Sequence, residues 1–82
     1  MNTRKKELGT ANSIGAKVTA LRIAKKMQQK ELLQKLQLCG IEISSTGLSK
    51  LEGQTRAVKA EELAALMDIF SVPIEYFYPK DE

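Results

Sequence analysis

The side chains that could do chemistry are concentrated between residues 43 and 52. This stretch reads Ile-Ser-Ser-Thr-Gly-Leu-Ser-Lys-Leu-Glu, with a run of hydroxyl groups, one lysine and a closing glutamate. Hydroxyl groups donate and accept hydrogen bonds and a lysine ammonium group donates them, so the stretch suits recognition of a polar partner. Catalysis is not expected, because the chain offers no nucleophile beside a base and no cluster of cofactor ligands. We therefore expect a binding protein, not an enzyme, with no cofactor and no small-molecule ligand.

Length and cysteine usage set further bounds. The 82 residues allow one small domain. With no histidine and one cysteine, neither a zinc site built from His and Cys nor a His-based catalytic triad can form, and Cys39 cannot make an internal disulfide. Because no long apolar run or secretory leader is visible, we expect a cytoplasmic protein with no membrane contact. Cys39 is then expected to be a small, partly buried apolar residue.

Charge is distributed unevenly along the chain. Residues 1–12 carry a net charge of +2, residues 13–58 of +5 and residues 59–82 of −4. A basic part followed by an acidic part is the arrangement expected of a polyanion-binding face with a non-binding back. Ordinary solvated surface charge would give the same pattern, and charge alone does not separate the two explanations.

The chain divides into an arm, a folded domain and a short tail. Residues 1–12 contain little apolar content and no periodicity, which predicts a flexible basic N-terminal arm. Such an arm can follow a phosphate backbone, and a terminus without any role is an equally open alternative. Residues 13–78 carry the helical patterns of a folded domain, and residues 79–82 form a C-terminal tail.

Two helices are predicted before the hydroxyl-rich stretch. The first begins at Ile14. Propensity alone would allow one long helix over residues 14–38, but the apolar stripe lapses and a break is expected near residues 26–28. The second spans roughly residues 29–38 and stops before Gly40, which can adopt the positive φ found past helix C-termini. Its expected core residues are Leu32, Leu33 and Leu36.

The hydroxyl-rich stretch itself is predicted to be the third helix. The Ser44 side chain can cap its N-terminus, and Leu48 and Leu51 share one face, which we expect to enter the core. A fourth helix is expected from about Ala60 to Phe70, and a last turn of helix from Ile74 to Phe77. The side chains left pointing outward from the third helix are Ser45, Thr46, Ser49 and Lys50.

Five short motifs follow one another along residues 13–78. They are Ile14-Gly15 with Leu21-Arg22, Gln29-Lys30-Glu31-Leu32, Ile43-Ser44 with Leu48-Ser49-Lys50-Leu51-Glu52, Arg56-Ala57-Val58 with Glu62-Leu63, and Val72 through Phe77. In this order and spacing they resemble the helix-turn-helix domain of the lambda-repressor-like (Cro/cI, or XRE) family. The resemblance implies an all-α fold of five helices.

The same resemblance implies a function. It is sequence-specific binding of double-stranded DNA by a transcriptional regulator, a repressor or control protein of a bacterium, phage or mobile element. A homodimer would bind paired half-sites about one helical turn apart. The alternative is an antitoxin-like or regulatory protein-interaction module that keeps the fold and binds DNA weakly.

The resemblance also implies which residues contact DNA. The third helix would lie in the major groove, where each base pair shows a distinct pattern of donors and acceptors. Its side chains are short, so DNA shape is expected to contribute to specificity. Ser44 also has its capping role, and a plain solvated lysine is the alternative at Lys50. The expected DNA-binding residues are Ser44, Ser45, Thr46, Ser49 and Lys50 of the third helix, with Gln29, Lys30, Thr55 and Arg56 as phosphate contacts.

Two further sets of residues have expected structural roles. In the family, the pair corresponding to Arg22 and Glu52 often forms a partly buried salt bridge between the first and third helices, so Arg22 is expected to be structural. Three aromatic residues, Tyr76, Phe77 and Tyr78, close the chain. They either cap the core, with Phe77 the best candidate, or contribute to a two-fold dimer contact.

The chain departs from the family pattern at several positions. Leu33 stands where the family has a small residue, and we expect Gly47 to supply the room that Leu33 needs. Gln54 stands where a glycine is usual, and Gln28 where a capping Ser or Thr is usual. The link between the second and third helices, residues 37–42, is longer than the tightest family turn.

Overall fold

The computed structural model describes residues 14–78. This part of the chain folds into five α-helices and contains no strand. The predicted all-α fold is therefore confirmed. The arm assigned to residues 1–12 and the tail assigned to residues 79–82 lie outside the described residues. None of the described helices has the length and apolar character needed to cross a membrane. The helices are α1 (residues 14–24), α2 (Gln29–Leu38), α3 (Ser45–Glu52), α4 (Ala60–Phe70) and α5 (Ile74–Phe77).

Helices α1 to α4 all end in the same backbone arrangement. Just past each helix, one residue adopts positive φ: Lys26 at 55°, Gly40 at 85°, Gln54 at 66° and Ser71 at 55°. The next amide then reaches back to a carbonyl oxygen of the last turn, which satisfies acceptors that the helix leaves unpaired. Only Gly40 is a glycine, so three of these ends lack the usual sequence signal. The bonds run from Met27 to Arg22 (2.9 Å), Ile41 to Leu36 (3.1 Å), Thr55 to Lys50 (2.9 Å) and Val72 to Met67 (3.1 Å).

The core lies where the apolar faces of all five helices meet. Burying each large side chain in it contributes about 1.5–3 kcal/mol. Phe77 is 1% exposed, as expected for a core cap, and Leu48 and Leu51 turn inward as predicted. Leu33 is only partly buried, because it lies at the edge of the α2–α3 contact. The buried apolar set is Ile14, Val18, Leu32, Leu36, Ile43, Leu48, Leu51, Ala65, Leu66, Phe70 and Phe77.

Two glycines have different roles at α3. A Cβ at Gly15 of α1 would collide with the carbonyl oxygen of Leu51, so this close approach of α1 to α3 requires glycine. The expected exchange of volume between Leu33 and Gly47 is wrong. A Cβ at Gly47 would instead meet Ile43 Cγ1 at 3.3 Å and Ser44 Oγ at 3.4 Å, because the segment that leads into α3 folds over its first turn.

The end of α2 is exposed. Cys39 is the residue that ends the helix and its side chain lies in solvent, so the expectation of a partly buried cysteine is wrong. The preceding Leu38 is 88% exposed. Both residues lie beyond Leu36, the last α2 side chain that enters the core.

Candidate nucleic-acid interface

Helix α3 presents its polar side chains outward because its two ends and its apolar face are fixed. At the N-terminus, Ser44 Oγ accepts a hydrogen bond from the Gly47 amide at 3.0 Å. At the C-terminus, the Thr55 amide and hydroxyl both donate to the Lys50 carbonyl, at 2.9 and 3.3 Å. Leu48 and Leu51 bury the opposite face. The exposed side chains are then Ser45, Thr46, Ser49 and Lys50, as predicted from their spacing.

The first turn of α2 lies beside α3. Ser49 Oγ donates to Gln29 Oε1 at 3.3 Å, which joins the two helices on their exposed side. A cleft of about 190 Å³ opens between them; we call it the α2–α3 cleft. It is lined by Gln29, Lys30, Leu33, Ser45 and Leu48. The structure therefore brings Gln29 and Lys30 of α2 together with Ser45 and Ser49 of α3.

The link between α2 and α3 is held by a side chain that the sequence did not single out. Gln37 Nε2 of α2 donates to the Ile43 carbonyl oxygen at 3.1 Å. Ile43 itself is buried, so the extended segment before Ser44 is fixed at a backbone group and at a side chain. These two contacts hold the link between α2 and α3 in place and so position the start of α3.

Arg22 and Glu52 form the salt bridge that the family resemblance implies. Arg22 Nε lies 3.0 Å from Glu52 Oε2, and the glutamate side chain is 5% exposed. Thr19 Oγ1 also donates to Glu52 Oε1 at 3.1 Å, and Arg22 Nη1 donates to the Met27 carbonyl at 3.0 Å. This group of contacts ties α1, the turn after it and the end of α3 together, so Arg22 has a structural role.

Arg56, expected as a phosphate contact, is held by a carboxylate. Its Nη1 and Nη2 donate to the two oxygens of Glu62 at 2.9 and 2.6 Å, and Nη1 also donates to the Ala57 carbonyl at 2.7 Å. The Arg56 side chain is 25% exposed and the Glu62 side chain 2%. Most of this guanidinium group is therefore committed to the fold, and its first role is to fix the loop before α4.

The environment of Glu62 shifts its pKa. Burial by itself would raise the pKa, but hydrogen bonds from Arg56 and from the Lys59 amide, at 2.9 Å, bring it below its ordinary value. The hydrogen bond to Glu62 in turn raises the pKa of Arg56. Sequence reasoning missed this pair. The available signal was Glu62 at the third position of α4, where a glutamate can accept from the amide that precedes the helix.

The remaining predicted contacts differ in their surroundings. Lys30 and Lys50 are exposed, and within residues 14–78 neither forms an ion pair. Thr55 is exposed but its hydroxyl closes α3. Ser44 is likewise engaged as a cap through its oxygen. The side chains with the greatest freedom to contact a ligand are thus the two lysines and the hydroxyls of Ser45 and Thr46.

The C-terminal aromatic residues have separate environments. Phe77 is buried, so its expected share in a dimer contact is wrong: its ring is used inside the protomer. Tyr76 is 37% exposed and packs edge-on against Phe77 at 5.3 Å, with Lys17 Nζ 5.6 Å from its ring centre. Tyr78 is 45% exposed. Only the two tyrosines remain candidates for contact with a second copy.

Among residues 14–78, no three His, Cys, Asp or Glu side chains come together as metal ligands. Comparisons of the chain with protein-family models, with curated proteins and with solved structures found no significant match.

Proposed function

We propose that this protein binds double-stranded DNA in a sequence-specific manner and acts as a transcriptional regulator, with α3 in the major groove. The observation that carries the proposal is the outer face of α3. That face holds short hydrogen-bonding side chains and Lys50, and it lies next to the exposed Lys30 of α2. An α-helix fits the major groove, and hydroxyl and ammonium groups match the acceptors and donors of base edges.

Electrostatics favours a polyanion as the ligand of this part of the chain. Residues 13–58, which include α1 to α3, carry the net charge of +5, and polyanion binding gains from releasing the counterions of phosphates. Lys30 and Lys50 are free to contribute, since their ammonium groups have no carboxylate partner within residues 14–78. Gln29, with its amide joined to Ser49, can hold a phosphate at the start of α2.

The fold gives this face its rigidity. Glu52 is held by Arg22 and Thr19, the Ser44 cap fixes the other end of α3, and Gly15 allows α1 to pack against it. The Arg56–Glu62 pair fixes the loop that follows. A reading helix needs this support because misplacement of its side chains would lose the directional hydrogen bonds that discriminate bases.

The proposal is tested by selecting bound sites from random duplexes and titrating the affinity for them with salt. We expect enrichment of a defined sequence and a steep loss of affinity with rising salt. Lys30→Gln and Lys50→Gln should each reduce the salt slope by about one. Lys35→Gln is the matched control, because Lys35 is an exposed lysine in the last turn of α2, away from the cleft. No enrichment and no salt-dependent binding would contradict the proposal.

A protein-interaction module is the second candidate, and one surface favours it. An open groove of about 620 Å³ is lined by the small or apolar side chains of Cys39, Ile41, Ala64 and Ala65 and by the carboxylates of Glu61 and Asp68. Leu38, next to Cys39 in the chain, is 88% exposed. An exposed apolar surface bordered by polar side chains is typical of a protein contact. Tight binding to a protein partner, without salt-dependent binding to any duplex, would support this function over DNA binding.

Palindromic selected sites would indicate that the protein binds as a homodimer.

A further inference from the structure

The α2–α3 cleft is lined by both apolar and polar side chains. Leu48, which is 1% exposed, and the partly buried Leu33 supply its apolar lining. Gln29, Lys30 and Ser45 supply its polar lining. An apolar recess within a basic face fits a polyanion that also carries an apolar group.

Double-stranded DNA offers one such group on its major-groove edges. Thymine presents its C5-methyl group beside the O4 acceptor, a combination that no other standard base has. The cleft offers the complementary pair. Leu33 and Leu48 supply apolar contact. Gln29 Oε1 accepts from Ser49, so one of the two amide hydrogens of Gln29 can donate to O4 while the other donates to a phosphate.

We propose that the α2–α3 cleft receives the methyl group of a thymine base, with Leu33 as the residue that determines this preference. The inference rests on the proposed DNA binding and names a base that the protein reads. Leu33 suits the role because a partly exposed leucine and a thymine methyl group both lose contact with water when they meet. Leu48, by contrast, belongs to the core and cannot be varied without disturbing the fold.

The test is a methyl scan of the selected duplex. Each thymidine is replaced in turn by deoxyuridine, which removes the methyl group and keeps O4. We expect one position in each half-site at which this replacement weakens binding by about fourfold, the effect of one buried methyl group. Replacing that thymidine by 5-methyldeoxycytidine, paired with guanine, should weaken binding further, since the acceptor at O4 becomes a donor.

Leu33 variants connect the effect to the cleft. In Leu33→Ala, replacing that thymidine by deoxyuridine should no longer weaken binding, while the salt slope of the affinity stays that of the wild type. In Leu33→Met, deoxyuridine should still weaken binding almost as much as in the wild type, because methionine is an apolar side chain of similar volume. Gln34→Ala, at an exposed α2 position outside the cleft, should behave as the wild type. Circular dichroism confirms that each variant is folded at the assay temperature.

Three outcomes would overturn the inference. They are uniform tolerance of deoxyuridine by the wild type, an equal loss in the wild type and in Leu33→Ala, and a selected site without thymine. Each leaves salt-dependent, sequence-specific binding intact, so the inference would fail while the proposed function stands. If no duplex is bound at all, both are contradicted.

Discussion

The Arg56 guanidinium group and the Glu62 carboxylate meet in two hydrogen bonds, of 2.9 and 2.6 Å, across the loop between α3 and α4. The glutamate is buried and also accepts from the Lys59 amide. The arginine is a quarter exposed. Losing the arginine would leave a buried, unpaired carboxylate, whereas losing the glutamate would leave a cation that water can reach. The two losses are therefore not equivalent.

Removing either partner should destabilise the protein, and removing the arginine should cost more. Arg56→Gln leaves a buried carboxylate without its cation, so we expect a loss of about 3–4 kcal/mol in the free energy of unfolding. Glu62→Gln leaves a cation that water can reach, and about 2 kcal/mol is expected. Urea unfolding of both variants and the double variant measures this. Equal single losses that add in the double variant would contradict a coupled pair.

The same pair predicts how stability depends on pH. Since the folded-state pKa of Glu62 lies below its unfolded value, its contribution is fully present above the unfolded pKa of about 4.3. It is lost as the pH falls through the folded-state pKa. Unfolding temperatures between pH 7 and pH 3 should therefore fall less steeply for Glu62→Gln than for the wild type. Glu61→Gln, exposed in the same turn of α4, should follow the wild type; a wild-type slope in Glu62→Gln would refute the prediction.

A third prediction concerns the left-handed residue after α3. Gln54 adopts φ of 66°, a conformation that costs an L-residue about 1 kcal/mol and a glycine almost nothing. Gln54→Gly should therefore raise the free energy of unfolding by up to about 1 kcal/mol. Gln34→Gly makes the same chemical change within α2 and should lower it by about 1 kcal/mol. Thermal unfolding measures both, and a loss of stability in Gln54→Gly would show that strain is absent there.

Features set by neighbouring residues could be predicted from the sequence. The stripe of Leu32 and Leu36, the cap at Ser44 and the stop at Gly40 all depend on a few adjacent positions. The end of α1 could be placed only by the lapse of the apolar pattern, because Lys26 occupies its left-handed position.

Features set by the path of the chain in space could not be predicted in this way. The pairing of Arg56 with Glu62 depends on how the loop before α4 turns, and the partial exposure of Leu33 depends on the angle between α2 and α3. Cys39 is exposed because α2 leaves the core at Leu36. In the proposed site, spacing placed Ser45 and Lys50 outward, but nothing local indicated the cleft that opens beside them.

Glycine substitutions at the α1–α3 contact give a fourth prediction. Gly15→Ala places a methyl group on the carbonyl oxygen of Leu51, a rigid backbone atom, so α1 must move away and we expect a loss of about 2 kcal/mol or more. Gly47→Ala meets only side-chain atoms at 3.3 and 3.4 Å and gains helix propensity of about 1 kcal/mol, so its net change should be small. Comparable losses in both variants, measured by urea unfolding, would contradict the close approach at Gly15.

The last prediction separates the cap of α3 from its proposed reading face. Ser44 Oγ accepts from the Gly47 amide, and Ser44→Ala should lower the free energy of unfolding by about 1 kcal/mol. Ser44→Asn, which can cap as well, should restore most of it. Within residues 14–78 the Ser45 side chain makes no such bond, and Ser45 is exposed and lines the α2–α3 cleft. Ser45→Ala should therefore leave stability within about 0.5 kcal/mol of the wild type.

Site selection with the same variants completes the separation. If Ser45 contacts a base, Ser45→Ala should relax the preference at one position of the selected site, by about 1–3 kcal/mol of discrimination for a good contact. Ser44→Ala should retain the wild-type base preferences at a temperature at which it is folded, because losing the capping hydrogen bond affects the stability of α3 as a whole. A changed base preference in Ser44→Ala together with an unchanged one in Ser45→Ala would reverse these two roles, and would place the reading face one residue closer to the link from α2.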